Sequence, residues 1–344
     1  MLESVEDLVE PRDRVLRALL ASVLADPVAA LVLADYLEEH FDSTGQAQGE
    51  LLRLVYTLTR SVAGQDRPRQ EDRLRALLRE GVQAIGPYRR VVLDDRTAIT
   101  FAWVPPGVFL MGSPDDEEGR AASDNQGGLL MDEGPRHTVT LSRGFWMATT
   151  PVTQSQFALV TGRNPSWDSN RTADVEPENR DRPVQEVVWR DVTGFLRRLS
   201  KRHGTRFRVP TEAEWEYACR AGTTTRFWSG NMEADLARVG WYADNRPKFP
   251  HGIQPVGGKP ANAFGLHDTH GNVWEYCADL FAETYYARSR QTDPRCRRGE
   301  AGRRVVRGGD AWDDAANCRS AARDDMSEGC SHNDLGFRVA ADRL

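Results

Sequence analysis

Up to about residue 86 the apolar positions recur with a helical period, and beyond about residue 97 that rhythm breaks into short alternating runs. Val15, Leu16, Leu19, Leu20 and Val23 fall along one helical face before Asp26-Pro27 stops the run. Leu31, Leu33, Ala34 and Leu37 predict a second amphipathic helix, and 50–58 and 71–78 predict two more, with 42–45 and 63–66 as connections. Further on, 101–112 predicts strand, turn, strand, and 137–141 alternates as a half-buried strand should. Thr153 with Gln156, and Thr211 with Glu214, are spaced as capping boxes that open helices, the second closing at Gly222. Asp191 is expected to cap a helix that turns Val192, Phe195, Leu196 and Leu199 inward and ends near Gly204. Long irregular stretches separate these elements, and buried aromatics or ions must pin them.

Composition narrows the classes. The 344 residues are 40% hydrophobic and 28% charged, with a net charge of −6, as expected of a soluble protein. The balance lacks the basic excess of a nucleic-acid binder. The run from Arg295 to Arg307 is locally basic, but Gly299 and Gly302 make it read as a solvated loop. The acidic N-terminus lacks the layout of a signal peptide, and no apolar run approaches a membrane span. Five cysteines, odd in number and without a CxxC pair, indicate neither a zinc site nor a disulfide framework. A cytoplasmic protein with reduced thiols is expected, with neither nucleic acid nor membrane as partner.

Two resemblances add to this reading. Asp26-Pro27, the run Leu33 to Glu39 and Gly49-Glu50-Leu51 resemble a helical repeat-companion domain found at the front of large bacterial proteins. It implies no chemistry, and 1–86 is expected to be a docking segment for a protein partner. Residues 97–344 resemble the formylglycine-generating-enzyme, or sulfatase-modifying-factor, family. The resemblance rests on ordered blocks: WVPPGVFLMGS from Trp103, DEGPRHTV from Asp132, FRVPTEAEWEYA from Phe207, GNVWEY from Gly271, RGG from Arg307 and LGFR from Leu335. It implies an α+β fold, an elaborated C-type-lectin-like domain with little regular secondary structure, preceded here by the small helical segment.

The same resemblance implies a chemistry and shows where this chain departs from it. The family holds copper(I) with two cysteines four residues apart in the loop after the Gly-Gly, and oxidises a substrate cysteine. Two soft thiolates suit copper(I), whereas a carboxylate does not. Here the first position is Asp313, only Cys318 remains, and Asp310 replaces the serine after the Gly-Gly. Copper is therefore not expected, and Cys318 is the one candidate catalytic residue of the oxidase alternative. A related branch uses iron on three histidines in a helical domain, but the helical segment contains only His40. Asp268, Gly271, Val273 and Glu275 match a family calcium loop, implying a structural calcium held by two carboxylates and two carbonyls. His267 and His270 read as polar loop residues.

What is left of the C-terminal block is a frame of Trp312, Arg319, Arg323, Gly336, Phe337 and Arg338 around short side chains. Such a frame suits a binding surface at 310–334, because the scaffold meets the ordering cost. The candidate ligand-binding residues are Asp310, Ala311, Trp312, Asp313, Asp314, Asn317, Ala322, Asp324, Asp325, His332 and Asn333, with a protein as the expected ligand. The layout also resembles variable proteins of diversity-generating retroelements, in which asparagine codons are randomised at adenines. The smaller residues of this set are reachable that way, whereas Met326 and Glu328 are not. A noncatalytic ligand-binding protein is the expected function.

Overall fold

The computed structural model describes residues 14–120, 133–166, 175–247 and 252–344, and the backbone of 5–7. Asp132, the first residue of one family block, and most of the chain before residue 14 lie outside the described residues.

After strand β1 (Val5–Asp7) come four helices: α1 (Arg14–Ala25), α2 (Ala29–His40), α3 (Ser43–Arg60) and α4 (Arg67–Arg79). These agree with the periodic runs, except that α3 starts at Ser43, so 42–45, expected as a connection, forms its cap and first turn. Asp42 caps α3 by accepting from Thr44 N at 2.9 Å. Leu51, Val55, Leu58, Leu74 and Leu77 from α3 and α4 lie in one core cluster with Phe109, Tyr217 and Ala218 of the later chain. Polar contacts reinforce the junction, with Arg67 donating to Gly222 O at 2.7 Å and Thr224 N to Glu71 at 3.0 Å. The helical segment thus packs on its own chain, while Val15, Val28, Val32 and Phe41 stay exposed.

Three sheets follow. Strands β2 (Tyr88–Val92), β3 (Ala98–Val104), β4 (Gly107–Met111), β5 (His137–Leu141) and β6 (Phe145–Ala148) precede α5 (Gln154–Thr161) and α6 (Trp189–His203). Then come β7 (Phe207–Arg208), α7 (Glu212–Arg220), α8 (Glu233–Val239), β8 (Trp274–Leu280), β9 (Arg303–Arg307), β10 (Arg323–Ser327), β11 (Leu335–Gly336) and β12 (Ala340–Ala341). One sheet has the order β1-β2-β3-β6-β12-β7, the second β10-β9-β8-β11, and the third is the pair β4-β5. The strand–turn–strand read at 101–112 is real, but Pro105-Pro106 carries the chain out of one sheet into another, so β3 and β4 do not pair.

Both capping boxes form, Thr153 accepting from Gln156 N and Thr211 from Glu214 N. Asp191 is one turn later than expected. It stands at the third helical position and accepts from Val188 N at 3.4 Å, which makes Val188 the cap. No helix among the described residues is long and apolar enough to cross a membrane.

Candidate functional site

Strands β9 and β10 pair antiparallel with Arg307 opposite Arg323, and the loop between them rises from that rung. Two like charges across a rung oppose each other. Here each has its own buried glutamate on α7. Arg323 donates to both oxygens of Glu212, at 2.7 and 3.1 Å, and Arg307 donates to Glu216. Arg319 holds Glu133 and, at 2.9 Å, Glu117. Arg338 holds Glu275 through Nη2 at 2.7 Å and Nε at 3.0 Å. All four guanidiniums are fully buried. They rivet the block to three earlier parts of the chain. Arg319, Arg323 and Arg338 belong to the frame visible in sequence, but their pairing with Glu133, Glu212 and Glu275 is not, although all three glutamates lie in the family blocks quoted above.

Gly308 and Gly309 turn the chain with φ of 104° and 72°. A Cβ on Gly309 would stand 2.8 Å from Cys318 Sγ, so glycine is required there for the loop to close over the thiol. Within the loop the short acids bond to the backbone. Asp310 accepts from Trp312 N and Asp313 N, Asp313 from Asp310 N and from Asn317 Nδ2 at 2.8 Å, and Asp314 from Ala316 N. Burial, with the Asp313 and Asp334 carboxylates beside it, pushes Asp310 up to about 8; burial also raises Asp313.

Cys318 is fully buried, and its thiol points at Asp310 O, 3.9 Å away. Burial and the carboxylates of Asp313, Asp310 and Asp314 hold the thiol well above its ordinary range, so it stays neutral. Cys330 is exposed. A neutral thiol beside carboxylates does not fit a copper(I) pair. His270, also buried, donates from Nδ1 to Cys318 O at 2.8 Å and accepts from Trp228 N at Nε2, and burial lowers it to about 4. It is the neutral peg beneath the loop.

The candidate binding residues divide by exposure. Trp312, Asp314, His332 and Asn333 are exposed, and Asp313, Asn317 and Asp324 are half-buried. Four must be corrected. Asp310 is buried by its own loop, Ala311 packs with Ile253 and Val273, Ala322 is closed off beside Arg307, and Asp325 is held by Arg303. None of these four presents its side chain to a ligand. The face that remains centres on Trp312, 38% exposed, whose ring carries the Arg246 guanidinium at 5.4 Å. The division is testable. Ala322→Asn must cost about 1–3 kcal/mol by overpacking, whereas His332→Ala should stay within about 0.5 kcal/mol of the parent, as read from urea unfolding.

The calcium set does not fit as it stands. Asp268 Oδ1 is a buried oxygen without a partner, which a cation would satisfy. Glu275, however, has both oxygens engaged, by Arg338 and by Trp215 Nε1 at 2.8 Å, and Gly271 O accepts from Val273 N. Arg338 also reaches the carbonyls of His267 at 2.8 Å and Asp268 at 3.3 Å. At this loop the Glu275 carboxylate is already paired with the Arg338 guanidinium, so it could serve an ion only by giving up that partner.

Comparison with known proteins follows the same lines. The family model for the sulfatase-modifying factor enzyme 1-like domain matches residues 90–343. The formylglycine-generating enzyme of Streptomyces coelicolor is 38% identical over 174 residues, 46% of this chain and 52% of that protein. The mouse enzyme of the same name is 33% identical over 177 residues, 47% of this chain and 45% of its own. The chain thus spans about half the length of these curated relatives. Among solved structures, Treponema denticola variable protein 1 superposes with a TM-score of 0.61 at 26% identity, covering 74% of this chain and 99% of its own. PvdO from Pseudomonas aeruginosa gives 0.61 at 28% identity, covering 73% and 97%.

Proposed function

Because the chain belongs to the sulfatase-modifying factor enzyme 1-like family, we propose that it is a noncatalytic member, which binds a protein ligand through the loops at 310–334. The observation that carries this reading is Cys318, a buried neutral thiol with Asp313, hydrogen-bonded into the loop, at the position of its missing partner. Around it, four buried arginine–glutamate pairs hold a stiff base under short exposed side chains and one exposed tryptophan. A rigid base lowers the ordering cost of binding, and an exposed aromatic is a frequent anchor. Likeness to a Treponema variable protein supports the sharper form, a protein whose loop residues are diversified by a retroelement.

That form is tested by genomic context. A reverse-transcriptase gene nearby, with a near-copy of the last hundred or so bases differing only at adenines, is the expected finding. Without both, the retroelement form fails and a fixed binding face is left. The second reading, an oxidase acting on a substrate cysteine, is favoured by the 38% identity to the Streptomyces enzyme. In that case Cys318 would have to become a thiolate ligand against three neighbouring carboxylates.

A further inference from the structure

Away from the 310–334 loops, a cavity of about 700 Å³ opens between α6, the β7 edge of the six-stranded sheet and the loop ahead of β9. Its size is that of a small-molecule site. Its walls gather charge from distant parts of the chain. Arg143 comes from the β5–β6 turn, Arg197 from α6, Arg206 from the approach to β7, Arg295 and Arg297 from the loop ahead of β9, and Arg343 from the C-terminal end. All six are exposed, and among the described residues none forms an ion pair with a carboxylate.

The carboxylates in the cavity are already used. Glu214 and Asp342 are both held by a seventh arginine, Arg208, at 2.6 and 2.7 Å, and Asp293 accepts from Ser142 N at 2.9 Å. Seven arginines thus face three carboxylates in a chain whose net charge is −6. The excess is felt within the protein. After burial, repulsion from Arg297, Arg304 and Arg208 lowers Arg295 from its ordinary value despite the attraction of Asp279. The run from Arg295 to Arg307, which in sequence looked like a solvated loop, contributes two of its arginines to this concentration.

We propose that this cavity is a binding site for a compact, multiply charged phosphate-bearing ligand. Planar guanidiniums bind phosphate oxygens through paired hydrogen bonds, and several converging on one cavity suit an anion of high charge in small volume. The three carboxylates in the same space disfavour a long polyanion laid across it, so nucleic acid is the weaker match. The field of unpaired cations also draws such an anion in, with a strong dependence on salt.

The test is calorimetric titration of the full chain with inorganic tripolyphosphate at low and high salt, beside hexaglutamate and a single-stranded oligonucleotide. Tripolyphosphate is expected to bind with one site and to weaken at high salt. It should also weaken at least tenfold in both Arg295→Ala/Arg297→Ala and Arg143→Ala/Arg343→Ala. Neither variant should melt much below the parent, since each removes exposed side chains that form no ion pair, Arg295 giving up one hydrogen bond to Ala278 O at 3.2 Å. Absence of tripolyphosphate binding, or binding untouched by both variants, would overturn the proposal. So would equal or tighter binding of hexaglutamate or of the oligonucleotide, which would assign the cavity to an acidic protein segment or to nucleic acid.

Discussion

Glu275→Ala is expected to lower the unfolding free energy by about 3–5 kcal/mol, the usual cost of leaving one partner of a buried ion pair behind. Arg338 is fully buried, and its carboxylate partner is Glu275. Removing that carboxylate strands a guanidinium between the carbonyls of Ala148, His267 and Asp268, and also leaves Trp215 Nε1 without its acceptor. Carbonyl dipoles soften the loss without neutralising the charge. A calcium site at the same residues makes a different forecast, because chelation would then reproduce the substitution. Here a chelator should leave the melting curve of the parent unchanged, and the variant should melt low with or without it. Denaturant unfolding of both proteins, with and without the chelator, separates the two accounts.

Asp310→Asn should make the protein more stable at pH 8–9 and flatten its stability between about pH 4 and 8. Asp310 stands at about 8 in the folded protein, against an ordinary aspartate value near 4. A group raised on folding contributes stability fully below its unfolded value and loses that contribution as pH climbs through the folded one. Stability tied to this residue therefore drains away as pH rises from about 4 to about 8 and is gone above that. A tenfold change in a protonation equilibrium is worth about 1.4 kcal/mol, so the effect at pH 9 is on the order of a few kcal/mol, shared with Asp313. Asparagine keeps an oxygen for Trp312 N and Asp313 N without the charge. The measurement is unfolding free energy against pH for parent and variant. Parallel curves would mean that Asp310 is ionised in the folded protein at neutral pH.

What the sequence made legible follows from distance along the chain. The first four helices and both capping boxes are local patterns, decided within a few residues, and they stand where expected, apart from the start of α3, which falls at Ser43 within the expected connection. The family blocks gave the fold because they are many and ordered. The arginine–glutamate pairs were not legible, since Arg319 and Glu133 are 186 residues apart and no periodicity links them. Exposure within 310–334 was equally out of reach. A loop has no period, so Ala322, closed off within the core, reads the same as His332 in solvent. Asp310 and Asp313 stand out in sequence as departures from the family, and as short polar side chains they read there as part of a binding surface. They are instead the hydrogen bonds that give the loop its shape. The pairing of Glu275 with Arg338, 63 residues away, was equally invisible in the matched calcium loop.

The central claim is that Cys318 takes no part in chemistry. It is tested most directly by titrating the reduced protein with copper(I) and following oxygen consumption in the presence of a cysteine-containing peptide. The predicted result is no stoichiometric tight copper, and oxygen uptake no greater than that of Cys318→Ala. One tightly bound copper per chain, with peptide oxidation that disappears in Cys318→Ala, would contradict it and make the protein an oxidase.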